Sequence, residues 1–345
     1  MKQASKIYLS HLAAGVDPFR RFLGPEYEVL IPLDGLASFS YAPAYAERYR
    51  AMGITDLTYA VNSTMFAAMR ILDKLARILG IKFRVIEAWR PLEVQESLWR
   101  DNIIKVYNEF QDKVASNLSL QQFIAEFEPD GWRGLKQYGL ENSATLVLKP
   151  KEGAGLPHTS GTAVDLLPLD GYGRPLTQPK WLARKDPALK DCIKPLGPDF
   201  DNVGSPFNTS HIEPLSGAPR DLRLAALNVD FLVALAKSIP PLRNINDENW
   251  HFQLADRDRE YLPSYRNLSL ADARSASPAH VARVRKEAAD FAERVFGLFY
   301  DRQFEKGVKF NYADSDFDAA RVMTLDGLLG RLASHTAQQQ KIIGA

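Results

Sequence analysis

The sequence predicts an α+β fold: a small, mainly antiparallel sheet flanked by helices, with an added C-terminal helical segment. Three observations carry this expectation. A stretch at 61–80 repeats its apolar residues at helical spacing and runs directly into an alternating, strand-like stretch at 81–91. A section from 150 to 215 is dense in Pro and Gly, which suits turns and short strands and not long helices. Beyond residue 268 apolar residues again recur at alternating spacings of three and four. Helices laid on one side of a small sheet bury both apolar surfaces at once.

Each element follows from its own residues. In VNSTMFAAMRILDKLARILG, Met65, Met69, Leu72, Leu75, Ala76 and Leu79 share a helical face, Asn62 or Ser63 caps the start, and Gly80 stops the helix. In IKFRVIEAWRP, Phe83, Val85 and Glu87 alternate with Arg84, Ile86 and Ala88 until Pro91 ends the pattern, which leaves Arg90 at a strand end. A second long helix is expected over roughly 92–116, followed by a polar segment to about 150 in which no chemistry is apparent. Ser277-Pro278 opens a last helix in which Val281, Val284, Ala288, Phe291 and Val295 form an apolar stripe. That stripe suits packing on the core, or a homo-oligomer contact through the C-terminal helices. The chain thus divides into an N-terminal extension (1–54), a central domain (55–265) and a helical C-terminal extension (266–345) packing on the core.

Bulk properties narrow the function classes. A chain of 345 residues, 46% of them hydrophobic, can bury a substantial core. With 43 Lys and Arg against 42 Asp and Glu, a net charge of +1 provides no overall field for nucleic acid or an acidic membrane surface. No apolar run of about 18 residues is present to span a bilayer, and MKQASKIYLSHLAAGVDPFRRF lacks the apolar stretch of a secretory signal. A cytoplasmic protein acting on a small molecule is therefore expected, and the sequons at Asn62, Asn117, Asn208 and Asn267 carry little weight. Cys192 is the only cysteine, so any metal must rest on His and carboxylates.

Three segments hold candidate chemistry. In LPHTSGTAVDLLPL, Ala163, Asp165 and Leu167 fall on one face of a strand, and the preceding turn can bring His158 round to Asp165. An Asp in an apolar strand is costly unless paired or metal-bound; a surface His beside an Asp in a buried hydrogen bond fits the segment equally well. In NDENWHFQL, Trp250, Phe252 and Leu254 share one strand face and His251 and Gln253 the other, with Glu248 just before the strand, where a bend would aim it toward His251. In EAWRP, Arg90 offers a permanent charge shaped for a carboxylate or a developing oxyanion, although a surface Arg reads the same way.

Taken together and in order, EAWRP, the pattern His-x-x-Gly-x-Ala-x-Asp (His158, Gly161, Ala163, Asp165) and the pattern Glu-x-Trp-His (Glu248, Trp250, His251) resemble the D-alanyl-D-alanine dipeptidases of the vancomycin-resistance type. That family groups with the zinc D,D-carboxypeptidases and shares its core fold with the hedgehog signalling domain. The resemblance spans roughly 55–260, including VGSPF at 203–207. It implies a zinc metallopeptidase with one Zn2+ per chain, held by His158, Asp165 and His251 on the sheet. It also makes Glu248 the general acid/base and Arg90 the group that steadies the tetrahedral intermediate. Three protein ligands leave one coordination position for water, whose pKa the metal lowers to about 7. Gly161 and Ala163 would keep the backbone near the ligands small.

Around the substrate the pattern departs from the family. Leu156 stands where a Ser is usual, and Asn202 and Asn208 stand where the dipeptidases tend to carry Asp. An amide offers a substrate ammonium a dipole and no charge; Asp199 or Asp201 would compensate if the loop register differs. Two other readings of the same residues stay open. Two His and one carboxylate also form the facial triad of non-haem iron (Fe2+) oxygenases, and a non-catalytic metal-binding module of this fold would keep the ligands but not need Glu248.

Overall fold

The computed structural model of the chain describes residues 24–41, 46–55, 59–140, 148–150, 155–169, 242–245, 248–254 and 265–300, with isolated positions at 235, 239 and between 330 and 341. Among these residues the architecture is α+β, as the sequence predicts. Seven strands are present: β1 (Ile31–Pro32), β2 (Phe39–Tyr41), β3 (Ala60–Val61), β4 (Lys82–Glu87), β5 (Ala163–Leu169), β6 (Leu242–Ile245) and β7 (Glu248–Leu254). β1 and β3 form a small antiparallel ladder, and the other five form one sheet in the order β2-β4-β5-β7-β6. Only the β2–β4 pairing is parallel; β4–β5, β5–β7 and β7–β6 are antiparallel.

The helices are α1 (Ala46–Ala51), α2 (Ser63–Leu79), α3 (Leu92–Val114), α4 (Leu120–Phe127), α5 (Leu270–Ser275) and α6 (Pro278–Tyr300). α2 begins and ends as its residues predict. Asn62 accepts a 2.8 Å hydrogen bond from the Met65 N–H, and Gly80 takes the left-handed φ of 67° that closes the helix. Its apolar face, with that of α6, covers one face of the sheet: Phe83, Val85, Val164, Leu166, Phe252 and Leu254 meet Met65, Leu72, Leu75, Val284, Phe291 and Val295 in one core. Truncating a fully buried ring such as Phe252 or Phe291 costs about 3–5 kcal/mol. Val284, Ala288, Phe291 and Val295 of the C-terminal stripe are thereby buried against α2 and the sheet.

Two local features differ from the sequence reading. Strict alternation would put Glu87 on the core face with Phe83 and Val85, but the β4–β5 register shifts between Val85 and Glu87. The bulge reverses the phase, so Ala88 joins the core and Glu87 lies opposite Asp165. The segment read as merely polar after α3 carries α4 and a 3-10 turn (Arg133–Tyr138) around an aromatic cluster of Phe110, Phe123 and Phe127 with Tyr107, Trp132 and Tyr138. Phe123 and Phe127 stand four residues apart and Tyr107 and Phe110 three apart, so each pair shows helical spacing, but their meeting across two helices does not show in the sequence. No helix among the described residues is long and apolar enough to cross a membrane.

Candidate metal centre

The sheet face turned away from α2 and α6 holds the predicted ligands. Glu87, Asp165 and His251 form one rung across β4, β5 and β7, because Asp165 is the register partner of both neighbours. Cross-strand partners stand close on a common face, so Asp165 reaches His251 with a 3.1 Å contact from Oδ1 to Nδ1. His158 arrives from the other direction, on the turn that precedes β5. Ser160 N–H and Thr162 N–H donate back to the Leu156 and Pro157 carbonyls at 2.9 Å each, and Gly161 N–H donates to His158 O at 3.0 Å. The tightly wound turn delivers His158 Nε2 to within 3.3 Å of Asp165 Oδ1 and 3.1 Å of His251 Nδ1.

Gly161 makes that turn possible for a reason its sequence context does not state. Its φ is +69°, and a Cβ there would stand 2.9 Å from both Asn62 N and Leu30 Cδ2. The chain passes hard against the start of α2, where Asn62 N–H donates to Gly161 O at 2.9 Å. Gly161 is thus required by close approach of backbone to backbone, not by room around the ligands.

His158, Asp165 and His251 form a group able to hold a metal ion. Donors about 2.0–2.1 Å from a tetrahedral ion stand about 3.3–3.4 Å apart; the three edges here measure 3.1, 3.1 and 3.3 Å. The donor triangle is nearly one face of such a tetrahedron. The remaining ring nitrogens are engaged elsewhere, that of His158 by a main-chain carbonyl that can only accept and that of His251 by a side-chain amide. His158 Nδ1–H donates to the Ala88 carbonyl at 2.8 Å, and His251 Nε2 stands 3.2 Å from Gln253 Oε1, to which it donates in its Nε2–H tautomer. With both imidazoles neutral, two nitrogen lone pairs and a carboxylate oxygen converge, an arrangement that a cation relieves.

Electrostatics in the metal-free cluster favour a proton where a metal would otherwise bind. Burial disfavours ionisation of Asp165, but His158 and then His251 outweigh it and hold the carboxyl below the usual carboxylate range. Burial likewise works against a charged His158, yet the Asp165 and Glu87 carboxylates prevail and raise it above its ordinary value, with Arg90 opposing. Protons and a metal ion therefore compete for the same atoms.

Arg90 lies beside this centre, and its N–H donates to His158 O at 3.1 Å. Its guanidinium is clamped: Nε donates to Glu87 Oε1 at 2.7 Å, Nη2 to Glu87 Oε2, and Nη1 to Gln95 Oε1. Gln95 in turn donates to the Leu148 carbonyl at 2.7 Å. Sequence reasoning had no role for Glu87, Gln95 or Gln253. Glu87 and Gln253 were legible in retrospect, three residues before Arg90 and two after His251, whereas nothing in the sequence marks Gln95.

The other predicted positions fall as follows. Glu248 is the first residue of β7 and not a residue before it; it pairs with Ile245 across an irregularity that leaves residues 249–251 without partners on β6. Strict alternation therefore does not relate Glu248 to His251. Leu156 is buried, and its N–H donates to Asn267 Oδ1 at 2.8 Å, which ties the His158 turn to the chain after residue 265. Leu268 N–H adds a 2.8 Å bond to Thr159 O. Asp199, Asp201, Asn202, Asn208 and VGSPF lie outside the described residues. Comparison of the chain with models of known protein families finds no match, and comparison with curated proteins finds none either.

Proposed function

We propose that this chain is a zinc-dependent hydrolase that cleaves the amide bond of a small dipeptide, of the D-Ala-D-Ala kind or a close relative. One observation carries the reading: His158 Nε2, His251 Nδ1 and Asp165 Oδ1 converge on one triangular face in the order and spacing of the D,D-dipeptidase pattern. Two imidazoles and a carboxylate suit zinc, and three protein ligands leave a position open. A bound zinc ion supplies a water that ionises near neutral pH and a Lewis acid for the substrate carbonyl.

The chain's own residues carry the remaining steps. As ligands His158 and His251 would each turn a lone pair inward, with the outer nitrogen of each facing an oxygen, the Ala88 carbonyl and Gln253 Oε1. Glu248, assigned from the Glu-x-Trp-His pattern, takes a proton from the attacking water and returns it to the leaving amine. Arg90, oriented by Glu87 and Gln95, places positive charge beside the His158 turn, where negative charge on the carbonyl oxygen is to be balanced. Leu156, Asp201, Asn202 and Asn208 are assigned to the substrate pocket from the resemblance, and the amides at Asn202 and Asn208 favour a substrate less dependent on a free ammonium group.

The test is metal analysis of the purified protein with a dipeptide hydrolysis panel on wild type and Glu248→Gln. The expected result is zinc near one per chain, turnover of a D,D-dipeptide or related amide, and a loss of about 100- to 10,000-fold in Glu248→Gln with zinc retained. Absence of zinc would overturn the reading. So would intact Glu248→Gln turnover supported by ferrous iron in air, which belongs to the oxygenase reading.

A further inference from the structure

Gln253 lies two residues beyond His251 on the same face of β7, is 7% exposed, and pairs in register with Ala163 of β5. Its Oε1 stands 3.2 Å from His251 Nε2. A neutral imidazole carries one N–H, and the partner of one nitrogen decides what the other presents. With an oxygen facing Nε2 the proton sits there, and Nδ1 keeps its lone pair beside Asp165 Oδ1 and His158 Nε2, 3.1 Å from each. An amide can equally turn its NH2 toward the ring. Nε2 would then accept, the proton would move to Nδ1, and it would be donated to Asp165. The cluster would close as a buried His–Asp hydrogen bond with no change in the backbone.

His158 has no such choice. Its outer nitrogen faces the Ala88 main-chain carbonyl, which only accepts. One ligand's tautomer is set by the main chain and the other's by a side chain able to present either group. We propose that Gln253 is a positioning residue that selects Nδ1 of His251 as the metal-binding nitrogen, and so decides whether the cluster is a metal centre or a closed His–Asp pair. The proposal rests on the reading of His158, Asp165 and His251 as metal ligands.

Two substitutions separate the possibilities. Gln253→Glu keeps an acceptor that cannot donate when ionised, and Gln253→Met keeps the bulk with no donor and only a weak sulfur acceptor. Zinc and cobalt(II) affinities are measured against a competing chelator, the cobalt(II) visible spectrum reports coordination, and heteronuclear NMR of the metal-free protein reports which His251 nitrogen is protonated. Thermal unfolding in chelator checks that each variant is folded. Gln253→Met should weaken both ions by about 10- to 100-fold and lose the Nε2–H tautomer, while Gln253→Glu should bind at least as tightly as wild type with an unchanged cobalt(II) spectrum. Wild-type affinity in a folded Gln253→Met, or a proton on Nδ1 in the metal-free wild type, would overturn the role of Gln253 alone. If wild type binds neither ion, the metal reading itself has failed and this proposal falls with it.

Discussion

Replacing Asp165 by Asn should remove most of the stabilisation that zinc confers on the folded chain. The two side chains have nearly the same shape, so the packing of β5 between β4 and β7 is preserved and the change is one of charge. Asp165 is the only anion among the three donors, and it lies 3.1 Å from His251 Nδ1 and 3.3 Å from His158 Nε2. At free zinc about 1,000 times the dissociation constant, binding stabilises the native state by about 4.1 kcal/mol. Losing a group that merely orients a ligand weakens metal affinity by about 10- to 100-fold, so losing the anionic ligand itself should cost at least about 100-fold. At about 1.4 kcal/mol per decade that removes about 2.7 kcal/mol and leaves a zinc increment near 1.4 kcal/mol. The assay is urea unfolding of wild type and Asp165→Asn, each in buffered zinc and in chelator. Comparing the two zinc increments cancels any effect of the substitution on the metal-free fold. Increments equal within about 0.5 kcal/mol would refute the assignment of Asp165 as a ligand.

The zinc increment should also grow with pH. His158 is raised above its ordinary value of 6.5 in the metal-free protein, so its proton stabilises the fold below the unfolded-state value and that contribution fades as pH rises through the folded-state value. Zinc needs the same nitrogen unprotonated, so zinc affinity measured between about pH 5 and about pH 8 should rise steadily; a flat profile would argue against His ligation. Gly161→Ala combines a left-handed residue, about 1–2 kcal/mol, with overpacking against Asn62 and Leu30, about 1–3 kcal/mol. It should lower the unfolding free energy in chelator accordingly and weaken zinc through the displaced His158 turn. Glu87→Gln leaves the largely buried Arg90 guanidinium without its carboxylate, and breaking such a pair costs about 3–5 kcal/mol by denaturant unfolding; a change under about 0.5 kcal/mol would show that the clamp is not energetically significant.

The candidate site was legible to different depths. His158, Gly161, Asp165 and His251 stand out because a polar residue in an apolar strand, or a His beside a tight turn, conflicts with its neighbours unless something compensates it. Their grouping was readable only through the order of the three motifs. Glu87 was misplaced by one face because a bulge adds a residue without altering the apolar pattern of β4. Gln95 and Asn267 act through partners remote in sequence, the Leu148 carbonyl and the Leu156 N–H, and no periodicity records such contacts.

By itself the sequence determined what short-range physics controls. Asn62 and Gly80 bound α2 because a cap acts within one turn, and alternation separated His251 and Gln253 from Phe252 and Leu254 because a strand's period is two. The sequence also supplied the identities of the three donors. Only the tertiary structure decided that those donors meet at 3.1–3.3 Å, since that spacing depends on the β4–β5–β7 register and on Gly161 pressing against Asn62. It alone decided which nitrogen each His turns inward, because that choice belongs to the Ala88 carbonyl and the Gln253 amide, and a hydrogen bond between strands is invisible until the strands are paired.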